Sequence, residues 1–451
     1  MTPWAGPTFS DHLLVAVLQE VWWTDNMHPS PTTGRPTRIR QRPTPSAGAC
    51  YPVQTHLLLA GDSRANGTRA VYDHDRNRLI TVGECTLRAG AVVVFTVLPQ
   101  RTAAKYHHRA WPCLIADTAY AVTALIAVAA RWGLAATRLA DWSPDALARL
   151  AGLPRSGDVH GDWPQGWGGH EPELAVTAVY LGAAPAPALH GVRSTVRSPL
   201  AMASGDPSRH AHAHALARAE ASSIAAAASV RLTAPRPGPR DRCPEQPVPG
   251  ALHVPAISAE ALAGRRSMPF AQMSQRPDRT GQPPGPVVGA NFAPTVAPKW
   301  PATTDLTAWH ASTRRLIHGI TATGHPLGCR LHTLSAVDID LLKEVVDRSS
   351  SQHWLHTSDL LVVFTAPDDA DDAHLVACLW WATLTAANLV FQAAQGQQLR
   401  ARTRPVAGWT DAAPNTPSGR DNQPMTAPTT PLTGQRILHG VALWHQEGTT
   451  A

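Results

Sequence analysis

The sequence predicts an α+β protein: tandem domains, each a central mostly antiparallel sheet packed by helices, joined in one chain as a pseudo-dimer. Three observations predict it. A run of strand patterns precedes the first long helix, so a sheet forms before the helix that covers it. The second half repeats this grammar, because Leu360–Ala366 (LLVVFTA) echoes Val92–Val97 (VVVFTV) and the apolar run Leu375–Phe391 echoes the first long helix. Phe95 and Phe364 stand 364 − 95 = 269 positions apart, and Trp142 and Trp409 stand 409 − 142 = 267 apart, so matched elements recur at nearly one spacing. A length of 451 residues also exceeds the ~250 at which single cores stop growing. The expected domains are 1–195 and 256–451, joined by a connection at 196–255.

Each element has a local reason. Ser10 reads as the N-cap of an amphipathic helix whose Leu13, Leu14, Val17, Leu18 and Val21 share one face. Prolines between Pro29 and Pro45 end it. Gln54–Ala60 and Ala91–Leu98 read as strands, with a hairpin of Arg69–Tyr72 and Arg78–Val82 about the polar turn Asp73–Asn77 between them. The helix at about Leu114–Trp132 is apolar nearly all round and belongs at the domain's centre. A short helix at Pro144–Leu150, opened by Ser143, and a strand at Leu174–Leu181 complete the first half. The connection holds an Ala-rich helical piece, Arg209–Val230, and then six prolines from Pro235 to Pro249. Gln275–Pro301, rich in Pro and Gly, reads as a long mobile loop.

Composition excludes several classes. Hydrophobic residues make up 43% of the chain and charged ones 16%, a balance that supports packed cores. The net charge of +6 comes from scattered arginines, which offers no extended nucleic-acid surface. Six widely spaced cysteines with no CxxC argue against a zinc ribbon or a disulfide framework and are expected as reduced, mostly buried thiols. Residues 1–19 carry no Lys or Arg, so no secretory signal is read and a cytoplasmic location is expected. The apolar runs Ala119–Ala130 and Leu375–Phe391 fall short of the ~20 apolar residues of a membrane span. His210, His212 and His214 are read as a solvated helix face, and no metal site is expected.

The sharpest chemical signal is Pro43–Pro52 (PTPSAGACYP), between a basic loop carrying Arg35, Arg38, Arg40 and Arg42 and a strand. Small residues at Ser46, Ala47, Gly48 and Ala49 let backbone amides approach a flat ligand, with the Ser46 hydroxyl as a further donor. Taken alone, an ordinary Pro/Gly turn explains the segment equally well. Downstream stand Lys105-Tyr106, Arg109-Ala110, Asp117 entering the apolar helix, Trp132-Gly133-Leu134, and Glu171-Pro172 before the strand.

In this order the motifs resemble the signature of SagB-like azoline dehydrogenases of the nitroreductase superfamily: the PSAGALYP-like segment, the KY-x-x-RA…LLDAGH…A-x-x-LGL block and the EEPLYVLAVG strand. The resemblance covers residues 9–182 closely and the second half loosely. It implies an FMN-dependent dehydrogenase that oxidises thiazoline or oxazoline rings to azoles in a ribosomally made peptide, such as a thiopeptide. It also implies catalysis by Lys105 and Tyr106. In that chemistry flavin N5 takes a hydride and a side chain takes a proton, and a cation beside a phenol favours phenolate. Which of the two is the base stays open.

Arg265-Arg266-Ser267 resembles the R-R-S-x-R phosphate-binding element, with Pro269 replacing its last arginine. Arg404–Trp409 looks like the family's P-V-G-G-F loop, which adds Val406, Ala407 and Gly408 to the cofactor-binding set with Pro45, Ser46, Ala47, Gly48 and Ala49. The resemblance further implies one composite flavin site per chain, an azoline-containing precursor peptide as substrate and a separate cyclodehydratase as partner. Nucleic-acid and membrane partners are not expected, and a homo-oligomer is left open. The alternatives are a general NAD(P)H-dependent flavin nitroreductase and a flavin-free scaffold that binds the precursor peptide. No P-loop or strand-flanked GxGxxG occurs, so neither nucleotide hydrolysis nor a Rossmann NAD site is supported.

Overall fold

The computed structural model of the chain describes residues 11–30, 33–61, 66–106, 109–139, 142–153, 173–182, 192, 194–196, 256–265, 306–321, 326–335, 338–348, 352–395, 399, 401–407, 409 and 432–446. The Ala-rich piece, the proline run, the segment 275–301, Glu171-Pro172 and the three alternating histidines lie outside these residues. The chain divides into two compact units, Met1–Met27 with Arg38–Gly264 and His28–Thr37 with Arg265–Ala451.

The first unit opens with helix α1 (Asp11–Trp22), which buries Leu14, Val17, Leu18 and Val21, the face set by its apolar spacing. Next in the chain is a hairpin of β1 (Met27–Pro29) and β2 (Pro36–Arg40), of which His28–Thr37 belong to the second unit. The main strands are β3 (Val53–Leu59), β4 (Gly67–Asp73), β5 (Arg78–Cys85) and β6 (Ala91–Val97). Next come α2 (Pro99–Tyr106), α3 (Ala110–Arg131), β7 (Ala136–Arg138), α4 (Pro144–Ala151), β8 (Leu174–Leu181), β9 (Ser194–Val196) and α5 (Ala259–Gly264). Strand order is β7-β8-β6-β3-β4-β5-β9, antiparallel at every junction. Ser143 caps α4 by accepting from the Ala146 amide at 3.2 Å.

One sheet face, with Leu58, Val92, Val94 and Ala178, packs against Leu147, Leu150 and Ala151 of α4. The other, with Leu57, Val93 and Phe95, is equally buried beside α3. The α3 helix is 22 residues long and apolar enough to cross a membrane, longer than the short apolar run Ala119–Ala130 expected from sequence, because Ala110–Thr118 and Arg131 extend it. Its sides are taken up by the sheet, α1 and α2.

The second unit contains α6 (Thr307–Thr321), β10 (Arg330–Leu334), α7 (Ile339–Arg348), β11 (Leu360–Pro367), α8 (Asp372–Ala394), β12 (Ala401–Val406) and β13 (Gln435–His445). Its sheet is β10-β11-β13-β12, again antiparallel. Leu342, Val345 and Val346 of α7 cover Leu361 and Val363. Trp381 of α8 meets the Phe364 ring edge-on at 5.5 Å. Cys329 and Cys378 are disulfide-bonded, their Cα atoms 6.3 Å apart, so the expectation of reduced thiols fails for this pair. Sequence reading missed it because the partners are 49 residues apart, on a turn and a helix that only the fold brings together.

The repeat is deeper than the sequence shows. Register slips at Phe95/Thr96 in the β6–β8 pair and at Phe364/Thr365 in the β11–β13 pair, the same point of both copies. At each bulge the threonine joins a buried polar trio. In the first unit His56 Nε2 lies 2.7 Å from Glu173 Oε1, and the Thr96 hydroxyl donates to that same oxygen. In the second, Thr365 donates to Gln435 Oε1 at 3.1 Å and pairs with His332 Nε2 at 3.1 Å. His56 faces Val94 and His332 faces Val363, each two positions before the bulge threonine.

The first copy is charged where the second is neutral. His56 and its hydrogen bond, together with Arg69, hold the Glu173 carboxyl below its usual value despite burial. Burial in turn pushes the Arg69 guanidinium down to about 10. A group of this kind contributes stability above its unfolded pKa that is lost as pH falls through the folded one. Glu173→Gln keeps both acceptor contacts but removes the charge opposite Arg69. The expected result in urea melts is a loss of roughly 1–3 kcal/mol at neutral pH and a weaker fall in stability on acidification than in the native protein.

Candidate functional site

The site begins with a strained turn. Ser46 enters extended, and Gly48 (φ 56°), Ala49 (φ 57°) and Tyr51 (φ 47°) lie in the left-handed region. Two of these are not glycine, and such conformations persist only when their surroundings over-determine them. What holds this one is Asp117, two turns into α3. Its carboxylate accepts the Ser46 hydroxyl at 2.6 Å and the Ala47 amide at 2.8 Å, while Ser46 Oγ accepts the Tyr51 amide at 2.9 Å. The Ser46 hydroxyl therefore faces the protein interior, its proton spent on Asp117, and is not the ligand-facing donor expected from sequence.

Burial pushes the Asp117 carboxyl up to about 7, the two donated hydrogen bonds and the nearby Arg42 charge opposing that rise only in part. Arg42 sits under the turn. Its guanidinium lies 2.9 Å from His74 Nδ1 and 4.7 Å from the centre of the Tyr51 ring, and burial lowers its pKa to about 10. His74 stacks on Trp22 at 4.6 Å, and its burial beside Arg42 holds it well below the usual imidazole range. A small cavity between Trp22, Arg42, Pro45, Ser46 and Asp117 lies beneath the turn.

Onto this turn α2 delivers its last residues. Gln100, Thr102 and Ala103 are buried, which fixes the helix and leaves the exposed Lys105 and half-buried Tyr106 at its C-terminal end. Lys105 Nζ donates to the Gly48 carbonyl at 3.1 Å and lies 5.9 Å from the centre of the Tyr106 ring. A Cβ on Gly48 would stand 2.5 Å from Lys105 Nζ and 2.8 Å from Tyr106 Oη, so both side-chain tips converge on the one residue without a side chain. Cys50 beside them is raised by burial, which keeps its thiol protonated.

The fold thus brings Pro45–Ala49 together with Lys105 and Tyr106, across more than fifty positions of sequence. The other expected residues belong to the second unit. Arg265 is half-buried, and Arg266, Ser267 and Gly408 lie outside the described residues. Arg404-Pro405-Val406 is the end of strand β12 and not a loop, since each residue pairs with β13; the Val406 side chain is in the core, and Ala407 follows the strand. Sequence reading placed Asp117 in a motif but missed its role as an anchor, and it left Arg42 in an undifferentiated basic loop.

No family model matches the sequence, and no curated protein does. A solved structure from Anabaena variabilis, described as a nitroreductase, aligns over 97% of this chain and 88% of its own, with a TM-score of 0.55 and 12% identity. The fold is nitroreductase-like. The α+β architecture expected from sequence is thereby borne out. Two further structures align over about two fifths of the chain: the E. coli microcin synthetase McbBCD complex with truncated pro-MccB17 bound (16% identity, 39% of this chain and 64% of its own) and a protein from Ralstonia eutropha described as a nitroreductase (14%, 40% and 76%). Both have TM-scores of 0.29, too low to carry an argument.

Two outcomes test the geometry of this turn. A carboxyl whose pKa is raised by folding contributes stability at low pH that is lost as pH rises through the folded value. Thermal stability should therefore decline between about pH 4 and about pH 7, and Asp117→Asn should flatten that decline in a pH series of melting curves. Gly48→Ala should cost roughly 1–2 kcal/mol of stability, the penalty of a left-handed φ once a Cβ is present, while the side-chain ends that the Cβ meets can move aside. It should nevertheless displace Lys105 and Tyr106, seen as loss of any activity that needs both.

Proposed function

We propose that this chain is an FMN-dependent azoline dehydrogenase, which oxidises thiazoline or oxazoline rings of a ribosomally made peptide to azoles after a separate cyclodehydratase has formed them. The observation that carries the reading is the convergence of Lys105 and Tyr106 on Gly48 within a nitroreductase-like fold.

The residues fit a flat, anionic cofactor. The Ser46–Ala49 turn is clasped from behind by Asp117, which leaves its backbone as the face toward a ligand. The resemblance adds Arg265, Arg266 and Ser267 as the residues whose donors would suit a phosphate. Bound flavin supplies the acceptor for a hydride. The protein's part is the proton: aromatising an azoline breaks one ring C–H bond to give a hydride and a neighbouring one to give a proton, which the Lys105–Tyr106 pair receives. The hydrogen bond to Gly48 holds the Lys105 side chain beside that of Tyr106. Neither the Pro-Ser-Ala-Gly segment nor the Lys-Tyr pair recurs in the second half, so one flavin per chain is expected.

The test is mass spectrometry of a thiazoline peptide incubated with the full chain and FMN. Loss of two hydrogens per ring is expected, with a flavin-to-protein ratio near one. Lys105→Ala and Tyr106→Phe should keep the yellow flavin spectrum and lose on the order of 10²–10⁴ in turnover. Unchanged turnover in both variants overturns the role of the pair. NAD(P)H-dependent nitro reduction without peptide oxidation, or a colourless protein that only binds the peptide, overturns the dehydrogenase reading.

A further inference from the structure

Away from that turn, the second unit gathers three metal-binding side chains. Cys329, His374 and Cys378 bring their ligand atoms within 4.8 Å of one another. The geometry is built by the fold on both sides. His374 and Cys378 are four positions apart on α8 and so share a face, the spacing by which one helix offers two ligands to a metal. Asp371 caps that helix, accepting the His374 amide at 2.7 Å, and so fixes the first turn on which His374 stands. Cys329 arrives on a tight turn closed by its own amide on the Pro326 carbonyl at 3.1 Å. Gly328 in this turn (φ 76°) packs so closely that a Cβ would stand 2.6 Å from Pro367.

The histidine separates a metal site from a plain disulfide. A sulfur–sulfur bond needs no third group, yet His374 is held beside the pair by a hydrogen bond from Nε2 to the Leu327 carbonyl at 2.8 Å. A carbonyl only accepts, so Nε2 carries the proton and Nδ1 keeps the lone pair. That is the tautomer a metal-bound histidine adopts when a backbone oxygen orients it. Both cysteines are buried and His374 is half-buried, which leaves the site one side open to solvent.

We propose that Cys329, His374 and Cys378 form a zinc site in the reduced protein, with two thiolates, one imidazole and a water in the fourth position. The disulfide is its oxidised, metal-free form. A thiol reductant such as a dithiol donates two electrons and two protons to the Cys329–Cys378 bond, giving two thiols and an oxidised disulfide of the reductant. Zinc binding then releases both thiol protons as two sulfur–zinc bonds and one nitrogen–zinc bond form. Two sulfurs with one imidazole suit zinc over hard cations such as magnesium or calcium. The site stands independently of the flavin reading, since it shares no residue with the turn at Ser46–Ala49.

The experiment uses the full chain reduced with a phosphine and titrated anaerobically with cobalt(II), whose thiolate complexes are coloured. One equivalent should bind with a thiolate-to-cobalt absorption band, and zinc should bleach it. Cys378→Ser should abolish the band, and His374→Ala should weaken binding by about tenfold or more, with circular dichroism confirming that both variants fold. Absence of the band in the reduced native chain overturns the proposal. So does a His374→Ala variant that binds as tightly as the native protein, because the metal would then be held by thiols alone.

Discussion

Asp117 places a carboxylate inside a helix that has almost no exposed surface, and the geometry of the candidate site follows from it. A buried carboxylate is costly unless hydrogen bonds meet its oxygens, and the donors come from the Ser46 hydroxyl and the Ala47 amide. Meeting that demand pins the turn to the centre of the first unit and lets Gly48, Ala49 and Tyr51 stay in conformations they would not hold alone. Lys105 and Tyr106 then find a fixed backbone to close on. The chemistry proposed at the surface thus rests on an electrostatic obligation in the core.

The two sheets show what a repeat keeps and what it gives up. Both retain a bulge after the phenylalanine, a threonine that turns inward there, and a histidine on the neighbouring strand. The acceptor changes from Glu173 to Gln435, a swap that preserves shape and removes charge. In the first copy the buried Arg69 adds its charge to the trio and helps hold the Glu173 carboxylate. In the second an arginine, Arg348, donates to the Gln435 main-chain carbonyl instead.

Much of this was legible in the sequence where a local rule decided it. The strand Leu174–Leu181 and the Ser143-capped helix lie where reading placed them, because a short run rich in β-formers marks the one and a cap with a following Gly152 marks the other. The Lys-Tyr pair and the Pro-Ser-Ala-Gly turn were legible as motifs, though not the reason they meet, since the contact crosses 57 positions. The Ser46 hydroxyl was misassigned because nothing local tells a serine which way to turn; its partner is 71 positions away. Strand β13 escaped notice because His439 and Gly440 break its apolar run in two. A Cβ at Gly440 would stand 3.1 Å from both the Trp409 ring and the Val362 carbonyl oxygen.

The order β10-β11-β13-β12 puts the last described strand in the interior of its sheet. A growing polypeptide that has made β10, β11 and β12 cannot complete that sheet, since β11 and β12 each await the same neighbour. Until β13 arrives, two apolar edges stand open to pairing with a stranger. The second sheet is therefore open to mispairing until its last described strand is made, as the first is until β8 fills the place between β6 and β7.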